Sequence, residues 1–138
     1  MIDQALLDKK LAFIETCVRE LQDLARPELI GEDVRETRFV EHTLQLAIQA
    51  ALDAASHVVS SERLGEPQTN RALFQSLERA GILTPDLARS LYAMAGFRNI
   101  LVHGYQEVDP ATVRDIVANH LDDLLAFAAS IRARQELT

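Results

Sequence analysis

The sequence predicts an all-α fold, a five-helix antiparallel bundle, and three observations carry that prediction. Apolar residues recur at three- and four-residue spacing along most of the chain, and capping residues stand where each periodic run begins. No stretch alternates as a half-buried strand would, and aromatic residues, which favour strands, are only 5% of the chain. At 138 residues the chain is expected to form one domain spanning residues 1–138, since domains cluster at about 100–150 residues.

The first helix carries Leu7, Leu11, Ile14, Val18, Leu21 and Ala25 in the 4-3-4-3 order of an apolar stripe, and Pro27 and Gly31 then interrupt it. Asp33, with Glu36 three residues later, reads as a capping pair opening a second long helix striped by Val40, Leu44, Ala47, Ala51, Ala54 and Val58. The Ser, Gly and Pro of residues 60–69 make a loop. A short third helix follows over about 71–80, capped by Thr69 or Asn70 and stopped by Gly81. The fourth opens at Thr84-Pro85-Asp86 and the fifth at Asp109-Pro110, each with proline at the first helical position. The fifth stripe is expected to run unbroken through Val113, Val117, His120, Leu124, Phe127 and Ile131. Antiparallel helices joined by short turns make a bundle.

Composition narrows the function classes. One cysteine, Cys17, excludes an internal disulfide and points to a reducing compartment. The first ten residues lack the basic and apolar regions of a signal peptide, and no apolar run approaches the ~20 residues of a membrane span. A cytoplasmic protein with no membrane partner is expected. The formal net charge of −7 argues against a broadly basic nucleic-acid binder, and no DNA partner is expected. Yet residues 87–106 contain no Asp or Glu, while Arg89, Arg98 and His103 all fall inside them. A local anion site belongs there.

Within this segment lies AGFRNILVHGY, residues 95–105. Arg98 occupies the apolar stripe Leu87, Leu91, Met94, 98, Leu101, where an unpaired guanidinium costs several kcal/mol. It therefore needs a carboxylate, a bound anion or a wet cleft between subunits. His103 follows five residues later, which in a continuous helix puts the two side chains about 140° apart. Gly104 suits a helix end, so a helix stopping near Leu101 or Val102 would let His103 swing back toward Arg98. Alternatively, a second chain supplies the other half of the cluster. The plainest account is that both residues merely cap the helix C-terminus, where cations meet the dipole favourably. As a site, a histidine that moves protons near neutral pH and an arginine that binds phosphate oxygens suit metal-free cleavage of RNA.

FRNILVHGY resembles the Arg-x4-His-x-Tyr motif of the HepT-like toxins, a branch of the HEPN (higher eukaryotes and prokaryotes nucleotide-binding) ribonuclease superfamily. LAIQAALDAASHVVS resembles the family's second helix, and residues 72–105 resemble its third and fourth. The resemblance implies a five-helix homodimer with the motif at a cleft between subunits. It implies a metal-independent RNA endonuclease that is the toxin of a toxin–antitoxin pair. The antitoxin partner is then an MntA-like nucleotidyltransferase that inactivates the toxin by moving AMP from ATP to the motif tyrosine. Residue by residue, Arg98 and His103 match the catalytic pair and Tyr105 matches the AMP acceptor, with Asn99 beside the arginine in a supporting place. The alternative is a non-catalytic HEPN-like dimer that binds a nucleotide or a protein through the same cleft.

Other candidates are weaker. Asp53 and His57 share a helix face with Leu46 and Ala50; one reading is that Asp53 orients Arg98 or lines the cleft, and the plainer one is a solvated or interfacial polar pair. Two such ligands fall short of a zinc site, and neither an HExxH motif nor a Gly-rich phosphate loop occurs, so no metal or cofactor is expected. His120 reads as a core or interface residue, His42 as surface, Cys17 as core edge, and RARQELT as a solvated tail.

Overall fold

The structure, a computed structural model, describes residues 3–103 and 108–137. Among the described residues the helices are α1 (Gln4–Leu24), α2 (Val34–Ser61), α3 (Asn70–Arg79), α4 (Pro85–His103), α5 (Pro110–Asn119) and α6 (Leu121–Glu136), with a 3-10 turn at Pro27–Leu29 and no strand.

The starts are set by local chemistry. Side chains of Asp3, Asp33, Thr69, Thr84 and Asp109 accept from backbone N–H groups of Leu6, Glu36, Ala72, Leu87 and Ala111, at 2.9–3.3 Å. Each satisfies a donor that the first helical turn leaves open, worth about 1 kcal/mol. Thr69, rather than Asn70, is therefore the α3 cap. At the far end of α3, Gly81 takes φ +77°, and bonds of 3.0 Å from Ile82 to Leu77 and from Gly81 to Glu78 close the turn. The Asp33–Glu36 pair is only half a capping box. The Glu36 carboxylate accepts from the Arg26 N–H at 2.7 Å and ties back the turn after α1.

The expected fifth helix is two helices. At His120 the backbone leaves helical geometry (φ −126°, ψ 1°), and α6 starts afresh at Leu121. The imidazole is bracketed by Asp123 at 2.9 Å and Asp115 at 3.4 Å, and so holds the end of α5 to the start of α6. The acidic pair Asp122–Asp123 in the first turn of α6 suits a helix N-terminus. His120 is thus a half-exposed joint residue and not part of a buried stripe.

α2 is the central element: α1 lies along it, α3, α4 and α6 pack against it, and α6 also covers α1 and α4. The buried side chains form one apolar cluster, in which Phe74 of α3 meets Phe127 of α6 edge to face at 5.9 Å. Polar ties fix the periphery. Arg134 of α6 bonds both oxygens of Glu62, and Arg132 bonds Glu15 of α1 at 3.0 Å. α5 is anchored where it begins, by Arg114 donating to the Ile30 carbonyl at 2.8 Å and by Pro110 seated on Gly31. Gly31 has φ +89°, and a Cβ there would lie 2.9 Å from the Pro110 ring.

Gly31→Ala is expected to destabilise the fold by about 1–3 kcal/mol through the positive φ and this clash. Chemical denaturation would show it as a lower midpoint at unchanged slope.

Candidate active site

α4 brings the motif to the site. Thr84 caps it, Pro85 opens it, and no further proline interrupts it through His103. Ala88, Leu91, Met94, Ala95 and Phe97 are buried, and Arg98 follows at the edge of that face, half-buried. Of the two arrangements the sequence leaves open, a helix that stops near Leu101 or Val102 is not the one formed: α4 continues through His103. Asn99, Ile100, Leu101 and Val102 all tolerate helical geometry. His103 is exposed at the helix end and projects about 140° away from Arg98 around the axis. One chain therefore does not bring the two side chains together along α4. Gly104 and Tyr105 lie outside the described residues.

Arg98 has partners of an unexpected kind. Its Nη2 donates to Oε1 of Gln49 on α2 at 2.6 Å, and its Nη1 makes a long 3.4 Å bond to Oδ1 of Asn99. Its Nε is fully shielded and lacks a hydrogen-bond partner among the described residues. The guanidinium is thus held by neutral amides, and the carboxylate of this network is one residue removed. That carboxylate is Asp53, which accepts from Gln49 Nε2 at 2.8 Å and from Lys10 Nζ of α1 at 3.0 Å. Asn99 Oδ1 also accepts from Asn70 Nδ2 at the start of α3, at 3.3 Å. A polar chain therefore links α1, α2, α4 and α3 through Lys10, Asp53, Gln49, Arg98, Asn99 and Asn70.

Sequence reasoning missed Gln49 and Lys10. The Gln49–Asp53 pair carries a local signal, being a Gln…Asp pair four apart on one helix face. Lys10 and Gln49 reach partners 43 and 49 residues away, for which no local signal exists.

The remaining candidates have structural settings. Tyr92 donates its phenol proton to Glu78, and the Arg71 guanidinium sits 4.6 Å from its ring centre. Burial, with the Glu78 hydrogen bond and charge, pushes this phenol up to about 12. His42 is exposed, as expected. Among the described residues no group of three or more His, Cys, Asp or Glu is placed to hold a metal, and no helix is long and apolar enough to cross a membrane. Cys17 is buried in the core between Ile14 and Leu21 on α1.

Residues 12–131 match the family model described as Ribonuclease HepT-like. The chain belongs to the HepT-like ribonuclease family. It is 32% identical to the mRNA nuclease HepT of Shewanella oneidensis over 129 residues, covering 93% of this chain and 97% of that protein. It is 35% identical to the tRNA nuclease HepT of Aphanizomenon flos-aquae over 117 residues, covering 81% and 78%. Among solved structures, the tri-AMPylated Shewanella oneidensis HEPN toxin in complex with an MNT antitoxin superposes with a TM-score of 0.87. That match has 32% identity and covers 96% of this chain and 99% of the other.

Burial, helped by the Glu20 charge, raises the Cys17 thiol from 9.0 to about 11. A raised native pKa adds stability that is full below pH 9 and is lost as pH climbs toward 11. The native thiol is therefore expected to resist a disulfide reagent at pH 8 and to react fully once the chain is unfolded in denaturant.

Proposed function

We propose that this HEPN/HepT-like ribonuclease domain, spanning residues 1–138, is the toxin of a cytoplasmic toxin–antitoxin pair. Its activity is metal-independent endonucleolytic cleavage of RNA. The observation that carries the reading is Arg98 on the motif helix: a half-buried guanidinium with no carboxylate partner among the described residues, in a segment free of Asp and Glu. Such a cation retains its charge for a phosphate. In the reaction the RNA 2′-hydroxyl attacks the adjacent phosphorus, and the 5′-oxygen leaves. The ends are a 2′,3′-cyclic phosphate and a 5′-hydroxyl. His103 takes the 2′-hydroxyl proton or delivers one to the leaving oxygen. Arg98 stabilises the negative charge that grows on the phosphorane oxygens, and Asn99 steadies the guanidinium.

Because Arg98 and His103 diverge around α4, the working site is a cleft between two copies related by a twofold axis. The exposed face of α4 supports that pairing. Ala93, Gly96, Ile100 and His103 follow one stripe, and the two small residues allow another helix to come close. Each copy then contributes Arg98 to one site and His103 to the other.

The antitoxin partner is an MntA-like nucleotidyltransferase. The Tyr105 oxygen attacks the α-phosphate of ATP, pyrophosphate leaves, and AMP remains on the phenol. The bulky anion obstructs the cleft two residues from His103 and repels the RNA backbone. Of the two tyrosines, Tyr92 is unsuited because its phenol proton is held by Glu78.

With protein made free of antitoxin, the wild type is expected to cleave total RNA in EDTA. Arg98→Ala and His103→Ala each lose at least about 100-fold in rate while staying folded. Dimers mixed from the two variants are expected to regain cleavage, since one intact site re-forms. An unmodified, folded wild type that leaves RNA intact would favour the non-catalytic binding module. For the modification, intact-mass measurement after incubation with antitoxin and ATP is expected to show added AMP on wild type and Tyr92→Phe. Tyr105→Phe should gain none.

A further inference from the structure

We propose that Gln49 is the positioning residue for Arg98, locked in one orientation by a Lys10–Asp53 ion pair so that the guanidinium is fixed in place but not neutralised. The proposal rests on the nuclease reading only for the identity of the anion that Arg98 meets.

The contacts of Gln49 permit a single amide orientation. Arg98 has only donors and the ionised Asp53 has only acceptors. Gln49 must therefore turn its oxygen to Arg98, at 2.6 Å, and its nitrogen to Asp53, at 2.8 Å. Asp53 is in turn engaged by Lys10 at 3.0 Å, the two side chains being 36% and 33% exposed. Lys10 balances the Asp53 charge, so the chain of contacts leaves one net positive charge, and it sits on Arg98. A carboxylate at position 49 would hold Arg98 equally well but would cancel that charge. An aliphatic residue there would leave the charge and lose the aim. The amide does neither.

The rest of the guanidinium is restricted to match. Among the described residues Nε is shielded, Nη2 bonds Gln49, and Nη1 has only the long Asn99 contact. Nη1 is therefore the donor edge that an incoming phosphate oxygen takes, in exchange for the weakest of the existing bonds. A guanidinium with one edge fixed and one edge available meets the phosphate in a set direction, and small misplacements of such a group cost rate heavily.

The test uses full-length chain free of antitoxin, with fold checked by circular dichroism. Gln49→Met and Asp53→Asn are expected to slow single-turnover RNA cleavage by about 10- to 100-fold while RNA affinity changes little. Asp53→Asn acts because an amide there can donate and so let Gln49 turn around. The double variant should be no slower than the slower single one, because both act through the same amide. Lys10→Met, altered two contacts away from Gln49's bond to Arg98, should move in the same direction by a smaller factor. Gln49→Glu tests the charge separately from cleavage. In the His103→Ala background it is expected to weaken binding of a short single-stranded RNA and to lower the salt slope by about one phosphate contact.

Wild-type rates in Gln49→Met and Asp53→Asn, or losses that multiply in the double variant, would overturn the proposal. So would Gln49→Glu binding RNA with the affinity and salt slope of its parent. If wild type fails to cleave while Gln49→Glu still weakens RNA binding, the nuclease reading falls and the positioning role stands.

Discussion

The small side chains of α2 are the constraint on which the other helices depend. Over its 28 residues this helix buries Ala47, Ala50, Ala51, Ala54 and Ala55 beside Val40, Leu44, Ile48 and Val58. With so little bulk at its centre, several helices can approach α2 closely, and α1, α3, α4 and α6 all do. That closeness also creates the polar seam. Gln49 and Asp53 lie on the edge of the alanine-rich face, so the α1 and α4 backbones come near enough for Lys10 and Arg98 to reach them. A larger residue at Ala50 would push against the same seam, and the geometry of Arg98 is for that reason inseparable from the packing of the core.

The electrostatics follow a similar division. An overall charge of −7 coexists with a motif helix whose only carboxylate, Asp86, sits in its first turn. Several of the chain's other acidic groups serve as caps, as the Glu15 and Glu62 ties to α6, and as the two aspartates around His120. Acidic composition and a local cation are compatible because residues 87–103 of the motif helix carry no carboxylate and Asp53 reaches Arg98 only through Gln49.

Legibility in the sequence tracked the range of the forces involved. Asp33, Thr84-Pro85 and Asp109-Pro110 announce helix starts because a cap is a contact across two or three residues. The periodic stripes of α1 and α2 were equally plain. The break at His120 was not, because it lacks Gly or Pro; it depends on an imidazole bracketed by Asp115 and Asp123, and Leu121-Asp122-Asp123 was its sole local trace. Arg98 stood out as a charge on an apolar stripe. Its partner did not, since an amide 49 residues away carries no pattern of its own. Whether the helix ends before His103 was left open by the sequence, since residues 99–102 suit a helix as well as a helix end, and α4 runs through His103.

Packing of α6 against α1 also orders events during synthesis. Leu121, Leu124, Phe127, Ala128 and Ile131 are buried, and Glu15 finds Arg132 only across 117 residues of chain. A growing polypeptide can pair α1 with α2 early, because those helices are neighbours in sequence, but it holds an open apolar trough until its last helix has emerged. Assembly of the bundle therefore waits on translation of α6, and a ribosome that stalls before that helix releases a chain whose core is unfinished.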